Sequence, residues 1–156
     1  MPSSEPSTAT FRRVPPDFRR RVVERFARRL QKEVTRGRSF ACLITGDAEL
    51  RRWNQQFRGQ DCATDVLSFA SAGTASLGDI AISLQRARAQ AREFGHTVEQ
   101  EVSILMLHGV LHLMGMDHQA GNGRMARAEK RWRVRLGLAH GLIERVRQRV
   151  RQRVQQ

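Results

Sequence analysis

Nowhere does the chain hold the roughly 20 consecutive apolar residues that a membrane-spanning helix needs, so the sequence is read as that of a soluble protein with no membrane contact. The opening MPSSEPSTATFRRVPP has no apolar core segment and places Glu5 close to the first arginines. That excludes a secretory signal and a good transit peptide, and makes the cytoplasm the expected compartment. Cysteine is scarce: Cys42 lies in the apolar run ACLIT and Cys62 in a polar stretch. Two lone cysteines in such a chain are expected as free thiols, not as a disulfide framework. Lysine is nearly missing, with only Lys32 and Lys130. Almost all positive charge is therefore arginine, whose planar fork favours bidentate phosphate contacts, although GC-rich coding produces the same skew.

What is present is enough for one core. With 156 residues, 40% of them hydrophobic, a single compact domain over 1–144 is expected, followed by a basic extension over 145–156. The 28 Lys and Arg against 15 Asp and Glu leave a net charge of +13. That excess is more than solubility requires, so a polyanion is the first partner to consider and a neutral small-molecule enzyme is disfavoured.

Along the chain, 8–14 reads as an edge strand, and Pro15-Pro16-Asp17 opens a helix whose apolar face is Phe18, Val22, Phe26 and Leu30, closed by Gly37. The apolar run 40–44 suits a strand, and Asp47 then serves as N-cap of a helix reaching about Phe57 and delivering Arg58 into a loop. Two more strands are expected over 65–69 and 77–83, with a helix over 84–94 closing at Gly95. Thr97 and Gln100 form a capping box for the next helix, which runs to about Met114, is nearly uncharged after Glu101, and ends at Gly115. A helix over 124–136 is stopped by Gly137, and a last helix from about Ala139 runs into VRQRVRQRV, whose single valine stripe is too thin to anchor its final turns.

The chemistry concentrates in HGVLHLMGMDH, spanning 108–118. Four residues of helix advance about 6 Å and turn about 40°, so the imidazoles of His108 and His112 leave one face and can converge on one ion. Gly115, able to take positive φ, lets the chain reverse and return His118 as a third ligand. Three nitrogens leave the fourth tetrahedral position of a Zn²⁺ open, the catalytic pattern, and one Zn²⁺ per chain is expected. A lone histidine is more often surface or satisfied core. Here three of the five histidines fall within eleven residues on an otherwise apolar helix, where burying them without a metal would be costly. His96 and His140 are expected to face solvent.

The spacing H-x-x-x-H-x-x-G-x-x-H resembles that of metzincin proteases, yet Gly109 stands where their general-base Glu belongs, which disfavours peptide hydrolysis and suggests room beside the metal for a larger substrate. Candidate acid/base groups are Asp117, beside the third ligand, and Glu101, seven residues before His108 on roughly the same helix face. Each has a plainer alternative: Asp117 as an orienting partner of an imidazole, Glu101 as a first-turn carboxylate favoured by the helix dipole.

HGVLHLMGMDH resembles the H-G-x-L-H-L-x-G-x-D-H signature of the YbeY family of bacterial rRNA maturation factors and endoribonucleases. LRRWNQQFRGQDCATDVLSFA over 50–70 resembles that family's L-N-x-x-[YF]-R-x-x-x-x-T-D-V-L-S-F block, with Arg58 on its arginine. LGDIAIS over 77–83 resembles its G-D-I-x-I strand, and Met125 with Glu129 its M-x-x-x-E. Cys62-Ala63 replaces the family's Lys-Pro, Ala70 a common Pro, and Gln100 an Arg; none of these touches the three histidines.

The resemblance implies a small α+β fold, a mixed sheet of about four strands packed with helices, with Zn²⁺ held by His108, His112 and His118 from a central buried helix. It implies a single-strand-specific endoribonuclease acting in 16S rRNA 3′-end maturation and ribosome quality control, a cytoplasmic monomer whose partners are rRNA, the small ribosomal subunit and its assembly factors. Arg58 is then the side chain that meets developing phosphate charge. Two alternatives stand beside it: a ribosome-assembly RNA-binding factor whose zinc is structural, and a metzincin-like protease.

Overall fold

The computed structural model describes residues 6–59, 64–73, 75–116 and 123–138. Strands β1 (Thr8–Phe11), β2 (Ser39–Thr45), β3 (Val66–Ala70) and β4 (Ser76–Ser83) form one sheet in the order β1-β2-β4-β3. β1, β2 and β4 run parallel, while β3 pairs antiparallel to β4 with Ser68 opposite Ile80. The helices are α1 (Arg20–Glu33), α2 (Asp47–Arg58), α3 (Leu84–Phe94), α4 (Val98–Leu113) and α5 (Arg124–Leu136). The expected α+β class holds, with four strands and five helices among the described residues.

Side chains alternate across a strand, and here the alternation divides the molecule. Cys42, Ile44, Ile80 and Ile82 point into the main core with α1 and α4, whereas Leu67 and Ala81 point the other way, against Leu50 and Trp53 of α2. α4 lies on β3 and β4 and is flanked by α1, α3 and α5. This explains its sequence, which is apolar all round: a helix with neighbours on every side has no solvent face to make polar. The expected capping box is present, the Gln100 N–H donating to Thr97 Oγ1 at 3.1 Å and the Thr97 N–H to Gln100 Oε1 at 2.9 Å.

Gly78 is required by geometry. Its φ is +137°, and a Cβ there would stand 2.1 Å from the carbonyl oxygen of Phe69. It lies in a β-bulge, where β4 passes from Ser76 to Asp79 while β2 passes only from Ser39 to Ala41. The extra residue lets Leu77 and Ile80, three apart, share the core and turns Asp79 out to the α2 face.

Two expectations shift and a third, the free thiol, holds. α1 starts at Arg20 and not at Asp17, because the Phe18 N–H donates to the Pro15 carbonyl at 3.1 Å and closes a turn first. Gly46 is the N-cap of α2, and Asp47, its first residue, accepts from Ser83 Oγ at 2.9 Å. Cys42 is a buried free thiol whose burial pushes its pKa up. Cys62, His140, the final helix and the extension over 145–156 lie outside the described residues.

Candidate active site

One turn apart near the end of α4, His108 and His112 bring their Nε2 atoms to 3.2 Å. Two nitrogens each 2.0–2.1 Å from a tetrahedral ion stand about 3.3 Å apart, so the pair already has the separation of two ligands on one Zn²⁺. The far nitrogen of His108, Nδ1, is 2.8 Å from Glu129 Oε2 of α5. A carboxylate only accepts, so Nδ1 holds the proton and the Nε2 lone pair faces His112. Both His108 and Glu129 are buried. Two imidazoles thus converge as a pair of ligands would, one with its tautomer fixed from behind, and among the described residues no third donor joins them. α4 stops just beyond them, and Gly115 takes φ +89° with its N–H on the His112 carbonyl at 2.9 Å, the reversal expected of it. Asp117 and His118 lie outside the described residues.

Arg58, the last residue of α2, donates from Nη2 to the Ser68 carbonyl at 3.0 Å. Ser68 Oγ in turn donates to the carbonyl of Gly109 at 3.2 Å, one residue beyond His108. The arginine is thus tethered to the edge strand nearest the histidines. It remains exposed.

Three expectations change here. Gly109 does not open space for a substrate: a Cβ on it would sit 3.0 Å from Ile80 Cγ2 and 3.1 Å from Ser68 Oγ. Its missing side chain lets α4 approach the sheet, and no carboxylate of the metzincin kind stands there. His96 does not face solvent. Its side chain is 7% exposed, and its Nε2 lies 2.6 Å from Glu101 Oε1. Glu101, with no exposed surface, is committed to His96 and has no access to a phosphodiester, which leaves Asp117 as the acid/base candidate. In the sequence Glu129 stands out only as part of M-x-x-x-E and as the single acid of the segment 124–136, one turn after Met125, which is the available signal for a histidine partner. A cavity of about 800 Å³ between α1 and the first turn of α4 contains none of these residues.

Comparison with known proteins bears on the family of the chain. A family model described as Endoribonuclease YbeY matches residues 10–136. A protein named Endoribonuclease YbeY from Solibacter usitatus (strain Ellin6076) is 69% identical over 146 residues, covering 94% of this chain and 99% of its own length. Another of that name from Koribacter versatilis (strain Ellin345) is 48% identical over 103 residues, covering 66% of this chain and 68% of its own. Among solved structures, the solution structure of TM1509 from Thermotoga maritima is similar with a TM-score of 0.56 and 28% identity, over 80% of this chain and 86% of that one.

Proposed function

The chain belongs to the YbeY family of endoribonucleases, and from that premise we propose that it is a zinc-dependent hydrolase of single-stranded RNA, acting on rRNA of the small ribosomal subunit in 16S 3′-end maturation and ribosome quality control. The observation that supports the zinc reading is the 3.2 Å approach of the two Nε2 atoms, with Glu129 behind His108. His108, His112 and His118 would hold one Zn²⁺ per chain. A zinc ion so held supplies a water activated near neutral pH and a Lewis acid toward a phosphoryl oxygen.

The protein's own side chains do the rest. Arg58 reaches from the β3 edge toward the scissile phosphate, its fork matched to two phosphoryl oxygens, and stabilises the charge that develops as the P–O bond breaks. Asp117 moves the proton, by virtue of its place beside His118. Glu129 keeps the His108 tautomer fixed through the cycle. The net charge of +13 draws the polyanion in, and the cytoplasm, where rRNA is processed, is the compartment this function requires.

The test joins metal analysis to cleavage of a single-stranded RNA and of casein. Wild type is expected to hold close to one Zn²⁺ and to cut the RNA alone, and His112→Ala to lose both metal and cleavage. Full metal occupancy in His112→Ala removes the ligand assignment. Zinc without RNA cleavage points to an assembly factor with a structural ion, and casein cleavage to a protease.

A further inference from the structure

On the sheet face away from the histidines, beside α2, lies a cavity of about 470 Å³. Trp53, Phe57, Phe69, Ala41, Ala81 and Asp79 are among the residues that line it. Each of these positions has a structural reason. α2 packs on β3 and β4, leaving Ala41 and Leu43 of β2 half-buried beside it. Phe57 is 61% exposed and yet held edge-on to Phe69, with centroids 5.5 Å apart. The bulge at Gly78 turns Asp79 to this face, and among the described residues its carboxylate has no hydrogen-bond or ion-pair partner.

We infer that this pocket is a nucleobase subsite for the single-stranded RNA substrate, selective for guanine. The inference rests on the RNA-cleaving reading and deepens it. One exposed ring, Phe57, beside the half-buried rings of Trp53 and Phe69, gives a cavity of this size the stacking surface on which a base of a single strand is held. A carboxylate in the lining repels phosphate, so a base edge and not the backbone must enter. The Watson–Crick edge of guanine presents N1–H and N2–H side by side to the two carboxylate oxygens; uracil presents one N–H, and adenine and cytosine one amino group.

Position supports the same occupant. Phe57 and Arg58 are consecutive at the end of α2: one reaches Phe69 and the pocket, the other the Ser68 carbonyl, whose own hydroxyl touches α4 beside His108. An RNA strand whose phosphate lies at Arg58 therefore has a neighbouring base within reach of the pocket, across the edge of β3.

The test uses the full zinc-loaded chain with Trp132→Phe, so that Trp53 is the sole tryptophan. The probes are 2′-O-methyl uridine heptamers with a single central A, C or G. The guanine heptamer is expected to quench Trp53 emission and to bind tightest. Phe57→Ala should weaken it about tenfold or more with zinc content and melting temperature unchanged. Asp79→Asn should keep the quench and erase the preference for guanine over adenine and cytosine. Heptamers that bind without altering Trp53, or that bind Phe57→Ala as they bind wild type, overturn the subsite and leave the RNA reading standing. A guanine preference that survives Asp79→Asn overturns the selectivity. If no heptamer binds and no RNA is cut, the functional reading itself has failed.

Discussion

The orientation of His108 depends on a carboxylate 21 residues away in sequence, and that dependence can be measured. Glu129→Gln keeps the shape of a buried side chain but replaces an obligate acceptor with an amide that can present either end. Zinc affinity is expected to fall 10- to 100-fold, as for other partners that orient a ligand histidine, and competition with a chelator measures it. Unchanged affinity would separate Glu129 from the metal. Arg58→Ala should leave zinc content intact and melting temperature nearly so, because an exposed hydrogen bond contributes little to stability, while single-turnover RNA cleavage drops. Arg58→Lys should recover only part, a point charge replacing a fork. Cleavage by Arg58→Ala at the wild-type rate ends its assignment. The two histidines were legible because helical spacing alone puts them on one face. The His96–Glu101 pair was not, since the burial of a side chain outside a helix is decided by what packs over it, and no local pattern records that.

Elements were more legible than contacts. Gly95, Gly115 and Gly137 each take positive φ just beyond a helix, and the Thr97 box opens α4 as its spacing requires. Strand order and the bulge at Gly78 were not legible, because pairing partners are far apart in sequence and a bulge shows only as a break in alternation. Two substitutions in α4 separate local from tertiary effects. Thr97→Ala removes a cap and should cost about 1 kcal/mol, read by denaturant unfolding, with zinc binding unaffected. Gly109→Ala raises helix propensity by about 1 kcal/mol yet drives a methyl into Ile80 and Ser68, an overpacking of about 1–3 kcal/mol. The expected net result is a loss of stability with weaker RNA cleavage, since the helix bearing the histidines is pushed from the strand that tethers Arg58. A stabilised Gly109→Ala protein would show that the packing gives way easily.

For the whole molecule, charge is the largest unbalanced quantity, and much of it is terminal: five arginines and no acid follow Glu144. A polyanion touching them releases counterions, with log K falling by about 0.7 per single-strand phosphate for each log unit of salt. Removing residues 145–156 should flatten the salt dependence of RNA binding and leave zinc and the catalytic step alone; equal slopes for the two proteins would reject an electrostatic arm. Loss of folding would instead mean that Val146 and Val150 join the core. Enclosure of α4 by two strands and three helices has a further consequence, in time. Backbone amides of a segment walled in on every side exchange with deuterium only when the whole domain opens, whereas those of an exposed helix end exchange through brief local fraying. The turn bearing His108 and His112 should thus be among the last to exchange, and the turn ending at Phe57 and Arg58 among the first. Hydrolysis would then be set in the slowest-opening part of the domain, while the grip on the strand adapts to each sequence that passes.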